Sequence, residues 1–177
     1  GREVCDVGCG DGWLIDYLPR SVERLVLIDR SEKRRQLVES RLAGAKAIGQ
    51  FVHADIEYEL FHFEFSPVET VVMAALLEHL KAPETAFKNV YELLQPNGSV
   101  VVTTPTWLGG KIHVISSWLG LTNREAAREH QRFYNRQSLT QLMVETGFIL
   151  EQYERFQLGL NQLAVGRKRP DRIVPKP

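Results

Sequence analysis

Val4-Cys5-Asp6-Val7-Gly8-Cys9-Gly10-Asp11-Gly12 is a short apolar strand that runs directly into three glycines at alternate positions. Glycines at that spacing let the backbone take φ > 0 and approach a ligand to van der Waals contact, where a Cβ would intervene. A strand feeding such a turn reads as a nucleotide-binding loop. A plain tight turn is the competing reading, and the rest of the chain has to decide between them.

The spacing narrows the ligand. A dinucleotide fingerprint, G-x-G-x-x-G, needs its third glycine at position 13, which is Trp13 here. The pattern that is present, D-x-G-x-G-x-G from Asp6 to Gly12, resembles the first motif of the class I S-adenosylmethionine (SAM) dependent methyltransferases. In that family the loop packs against the methionine part of a cofactor that has no pyrophosphate. The resemblance implies an α/β fold with a doubly wound, Rossmann-like seven-stranded sheet, order 3-2-1-4-5-7-6, the last strand antiparallel. It also implies a cofactor cradle of Asp6, Gly8, Cys9, Gly10 and Gly12.

Downstream spacing agrees. Leu25-Val26-Leu27-Ile28-Asp29 is a strand-length apolar run ending in a carboxylate, 17 residues after Gly12. A carboxylate there can accept from both hydroxyls of a ribose, and can equally serve as a helix N-cap acid before Ser31. Arg30, next to it, is assigned to the same cofactor site. Phe51-Val52-His53-Ala54-Asp55-Ile56 repeats the order of a strand with an acid just past its end. Alone, Asp55 is a turn residue; by resemblance it accepts from the adenine amino group, and Ile56 flanks the ring.

Strand and helix patterns alternate along the chain, which argues for βαβ units and a parallel sheet covered on both faces. Strands are expected over 2–7, 24–29, 48–53, 70–74 and 99–103, with a first helix over 11–18 stopped by Pro19. Ser31 is placed to cap a helix carrying Val38 and Leu42 on one side, with Gly44 as its stop, and Pro83 to open a helix running to Leu94. A last helix spans 138–146. Strands over 148–157 and 160–167 then meet through Leu158-Gly159, a hairpin that makes the final strand antiparallel.

Composition fits one domain. A chain of 177 residues buries about 70% of the surface its unfolded form exposes. Basic and acidic residues balance at 22 each, so no global field draws in nucleic acid or an anionic membrane. Cys5 and Cys9 are too few for a disulfide framework or a metal set; Cys5 reads as core and Cys9 as packing beside the cofactor. No signal peptide or bilayer-length apolar stretch is visible, so a cytoplasmic location is expected, as a monomer or homodimer. The methyltransferase core is expected over 1–168, followed by a basic, proline-rich tail over 169–177. Gly1 begins almost on the first strand, so the lid helix usual in the family is expected to be missing.

After the fourth strand, Ala74-Ala75-Leu76-Leu77-Glu78-His79-Leu80 is similar to the L-E-H-L stretch of many small-molecule methyltransferases. The small residues Ala74 and Ala75 would let a main-chain carbonyl reach the cofactor's amino group. Some ubiquinone-biosynthesis and RNA 3′-end O-methyltransferases carry E-x-x-E-H here and hold a divalent metal. In this chain Ala75 replaces the first Glu, so no metal is expected. An inserted segment, 104–136, is too long and aromatic for a simple connection and is assigned to the acceptor. Its candidates are Trp107, His113, Trp118 and Tyr134 for substrate, and His130, with His79, as general base. The reading that follows is methyl transfer from SAM to a small acceptor, favouring O-methylation of an aromatic, glycan or lipid-linked metabolite, with S-adenosylhomocysteine as product. A catalytically silent SAM-binding domain and a nicotinamide-dependent oxidoreductase are the alternatives.

Overall fold

The structure is a computed structural model that describes residues 1–58, 65–109 and 132–170. Strands β1 (Glu3–Val7), β2 (Arg24–Asp29), β3 (Ile48–His53), β4 (Val68–Ala74), β5 (Leu94–Pro105), β6 (Phe148–Phe156) and β7 (Asn161–Lys168) form one sheet. Its order is 3-2-1-4-5-7-6, with β1 to β5 paired in parallel and β7 antiparallel to both β5 and β6. The expected topology, including the reversed last strand, is the observed one. The α-helices lying wholly within the described residues are α1 (Arg35–Ala43), α2 (Pro83–Leu93) and α3 (Arg136–Glu145).

Burial explains why β1 and β2 are almost continuously apolar. A parallel strand covered on both faces must satisfy two cores at once. Cys5, Val7, Val26 and Ile28 join the larger core, whereas Val4, Leu25 and Leu27 join a smaller one with Val38 and Phe51. The larger core is closed by α2, whose Ala86, Phe87, Val90 and Leu93 recur at helical spacing along one face. Phe87 is fully buried and meets Phe148 edge-on at 6.0 Å, a burial that contributes about 1.5–3 kcal/mol. Pro83 opens α2, where a missing N–H costs nothing. α3 starts on a reciprocal cap in which Ser138 N donates to Asn135 Oδ1 at 2.9 Å and Asn135 N donates to Ser138 Oγ at 3.0 Å.

At the other end of α2, the Lys168 ammonium donates to the carbonyls of Tyr91 and Leu94, each at 2.8 Å, and lies 4.2 Å from the centre of the Tyr91 ring. A cation placed there satisfies carbonyls at the helix end and complements the helix dipole.

Three local readings change. The helix expected over 11–18 is a single 3-10 turn, Trp13–Tyr17, with no buried residue. Gly12 enters it in the left-handed region, and Trp13 lies under the Arg41 guanidinium at 4.2 Å instead of in the core. Ser31 makes no side-chain cap; its N–H is satisfied instead by Asp29 Oδ1 at 2.8 Å. β5 begins at Leu94, before Pro96-Asn97-Gly98, because Leu94 pairs with Val68 and the register resumes at Ser99 opposite Thr70, with Asn97 at φ 63°.

The strand order reverses between β1 and β4. In an open α/β sheet, that reversal leaves a crevice at the carboxyl ends of the strands.

Candidate functional site

The glycine loop closes one side of this crevice. Gly8, Gly10 and Gly12 take φ of 74°, 52° and 74°, all in the left-handed region. The N–H groups of Gly8 and Cys9 donate to Ile28 O at 2.8 and 3.1 Å, which pins the loop to β2. A Cβ on Gly8 would lie 2.7 Å from Leu76 Cδ1, whereas a Cβ on Gly10 would meet nothing within 4 Å. Gly10 therefore turns its bare face to open space, and that space is a cavity of about 340 Å³. Among its walls are Gly8, Asp29, Asp55, Ile56, Ala75 and His79.

Asp29 ties the glycine loop to the turn after β2 and lines the cavity. Its Oδ1 accepts from Ser31 N, and its Oδ2 accepts from Gly10 N at 2.9 Å. A carboxylate has about four acceptor positions, so these two bonds leave about two of them unused. Asp55 is likewise a turn residue, accepting from Glu57 N at 3.0 Å, and a wall residue. Ile56 is buried beside it, fixed by Asn89 Nδ2 donating to its carbonyl at 2.7 Å. Arg30 lines the cavity too, together with Arg34, which is paired with Asp11 of the glycine loop.

Asp6 is 3% exposed and shares a register position with Leu27 and Val72, so it leaves β1 on the α1 side of the sheet. Among the described residues no group donates to its carboxylate. Burial, and then the neighbouring Asp29 charge, push its carboxyl up to about 7. Cys9 turns away from the cavity, packing with Val4, Leu25 and Val38 in the smaller core. Burial first, then Asp6 and Asp29, push its thiol up, which keeps it protonated and inert. Gly12 also lies outside the cavity wall and starts the 3-10 turn.

The end of β4 supplies the opposite wall. Ala74 is exposed at the strand terminus, and Ala75 follows with φ 50°, a left-handed non-glycine residue. Its N–H donates to Thr103 O at 3.0 Å, which fixes that conformation against β5. Leu76, His79 and Leu80 complete the wall. Glu78 points elsewhere: it is buried and accepts from Thr104 Oγ1 at 2.9 Å. Among the described residues, no cluster of three or more His, Cys, Asp or Glu side chains forms a metal site.

A second cavity, about 200 Å³, lies past the end of β5, between Thr106, Trp107, Tyr134, Asn135, Arg155 and Gly159. Trp107 is 56% exposed, whereas Tyr134 is buried. Burial raises the Tyr134 phenol, against a smaller lowering by Arg132. Thr106 bridges to Tyr134 and donates through Oγ1 to Gly159 O at 2.9 Å, which brings the two candidates into one wall. His113, Trp118 and His130 lie outside the described residues.

Sequence reasoning missed Ala54, Glu57, Arg34, Leu76 and Leu80 at the first cavity and Arg155 at the second. Glu57 carried a signal, lying two residues past Asp55, where a strand-end turn faces the crevice. Arg155 carried only the alternation of β6.

Residues 1–153 match the family described as "Methyltransferase domain". An uncharacterized methyltransferase of Mycobacterium tuberculosis is 33% identical over 127 residues, 68% of this chain and 61% of that protein. A ubiquinone biosynthesis O-methyltransferase of Bradyrhizobium diazoefficiens is 25% identical over 161 residues, 85% of this chain and 59% of that protein. The chain thus spans about three fifths of the length of these relatives. In structure it resembles a SAM-dependent methyltransferase of Methanosarcina mazei, TM-score 0.71 at 16% identity, covering 96% of this chain and 93% of the other. With its motif, its reversed seventh strand and its family match in agreement, the chain belongs to the methyltransferase domain family and has the class I SAM-dependent fold.

Proposed function

We propose that the protein transfers a methyl group from SAM to a hydroxyl of a small acceptor, an aromatic, glycan or lipid-linked metabolite. The observation that carries this reading is the first cavity: a glycine face open to it, a carboxylate with about two acceptor positions unused, and a second acid, Asp55, in the same wall. The residues suit the cofactor part by part. Gly10 leaves room for the methionine chain, Asp29 accepts from the ribose diol, Asp55 accepts from the adenine amino group and Ile56 packs on the ring. The cavity volume is within the range of small-molecule sites, about 300–1,000 Å³.

Bound there, SAM supplies a methyl carbon on a sulfonium, open to in-line displacement with loss of charge. The chain's own contribution is alignment, which can account for several orders of magnitude in rate. His79 lines the same cavity and is placed to take the proton of an acceptor hydroxyl. Trp107 and Tyr134 wall the second cavity, at the end of β5, and are assigned to hold the acceptor body. The names of the ubiquinone-biosynthesis relatives support an oxygen acceptor.

Calorimetric titration with SAM, S-adenosylhomocysteine and NAD tests the reading. SAM and its product are expected to bind and NAD to fail. Asp29→Ala strands the Gly10 and Ser31 N–H groups, and should weaken SAM binding about tenfold to a hundredfold. Binding of NAD alone refutes the proposal. SAM binding with no methyl transfer across phenols, sugars and amines would assign the chain to cofactor binding without catalysis.

A further inference from the structure

The second cavity is organised by one buried amide. Gln162, 0% exposed, donates through Nε2 to Tyr134 O at 2.8 Å and to Pro105 O at 3.2 Å. Its Oε1 accepts from Tyr153 Oη at 2.9 Å. Tyr153 Oη in turn accepts from Arg155 Nε at 3.3 Å. Tyr153 and Arg155 are two apart in β6, opposite Ala164 and Gln162 of β7, so both side chains leave the same face of the sheet. The hydrogen bonds of Gln162 are all made inside the protein, and through Tyr153 they set the angle of the Arg155 guanidinium.

That guanidinium is oriented, and no carboxylate answers it among the described residues. Arg24, Arg34, Arg41, Arg132 and Arg167 each face a carboxylate. Arg155 faces none among the described residues, and its two terminal nitrogens keep their hydrogen-bonding fork. A fixed fork of N–H donors matches the two oxygens of a carboxylate or phosphate, and the Trp107 indole in the same wall offers a flat apolar surface for the body that carries the anion. Solvating water could satisfy an arginine anywhere on the surface. Orientation through Tyr153 by the buried Gln162 is what distinguishes this exposed arginine.

We propose that the cavity at the end of β5 is the subsite for an anionic group of the acceptor, a carboxylate or a phosphate, with Arg155 as its specificity-determining residue. The assignment rests on the methyl-transfer reading only in making this anion part of an acceptor; the anion's binding is measurable without transfer.

The test follows the Trp107 indole N–H by nuclear magnetic resonance in the full chain, titrated with benzoate, with phenyl phosphate and with benzamide as the neutral isostere. Trp107→Phe assigns the signal. Both anions should shift it saturably and benzamide should not, and the tighter of the two anions names the group. Arg155→Gln should weaken the anions about tenfold or more, and Arg155→Lys, which keeps the charge but not the fork, should weaken them less. Tyr153→Phe should leave the charge and loosen its aim, with a loss of a few-fold. Equal binding of benzamide, or anion affinities within about twofold of the parent in Arg155→Gln, overturns the proposal. SAM calorimetry on the same samples keeps the two claims apart: intact SAM binding without anion binding removes the subsite alone, and the reverse removes the methyl-transfer reading alone.

Discussion

The cavity beside the glycine loop takes its shape from backbone, and the cavity past β5 takes its shape from side chains. In the first, the left-handed Gly8 and Gly10, the strand-end carbonyl of Ile28 and the turn at Ala75 set the walls, and the Asp29 carboxylate at the end of β2 holds the loop. In the second, Thr106, Tyr134, Tyr153 and Gln162 meet from four separate stretches of chain and are joined by hydroxyl and amide hydrogen bonds. A ligand shared by a whole family can be cradled by main chain, which any sequence provides once the glycines are in place. An acceptor peculiar to one protein has to be read by side chains.

The comparison is most sharply broken at Gly10. Gly10→Val fills the direction that is now open and forces a branched residue into φ 52°. SAM binding should fall below calorimetric detection, while acceptor-side anion binding should persist. If SAM affinity holds within about threefold, the backbone cradle is not the cofactor site.

Asp6 gives the next largest effect, and its sign is fixed by its environment. Its folded-state carboxyl is held at about 7, well above the ordinary 3.8. The folded state therefore holds the proton more tightly than the unfolded chain. The stability this contributes is complete below about pH 4 and is lost as pH rises through about 7. The shift corresponds to at most roughly 4 kcal/mol. Asp6→Asn should remove that slope, so that urea midpoints of parent and variant diverge between pH 4 and 8 with the variant gaining toward higher pH. Parallel curves would show that Asp6 ionises freely.

Trp107→Ala is the smallest of the three. The side chain is largely exposed, so the melting temperature should move by no more than a degree or two and SAM affinity not at all. Acceptor kcat/KM should drop about tenfold through KM, the mark of lost ground-state binding. A shift in SAM affinity would mean that the two cavities are one.

The same contrast governs what was readable from sequence. Asp6 to Gly12, Asp29 and Asp55 are short-range patterns: each lies at the end of an apolar run, and the parallel order of β1, β2 and β3 brings those ends together. The hairpin at Leu158-Gly159 was legible because two alternating strands flank it. What was not legible depended on the third dimension. Nothing local says that Cys9 packs into the smaller core while its neighbour Gly10 faces the cavity, since one left-handed residue reverses the direction of the chain. The 3-10 turn at Trp13 could not be told from a helix, because its indole is satisfied by Arg41, a residue from α1. Arg155 and Gln162 read as ordinary strand positions, and only their register against each other makes them a relay.

Lys168 fastens the last strand to the final carbonyls of α2, at the end of β7 opposite both cavities. This charge adds a tie between α2 and β7 to the strand pairing that already holds β7 against β5. A modification that neutralised this amine would loosen that tie at the end of β7 opposite the two cavities.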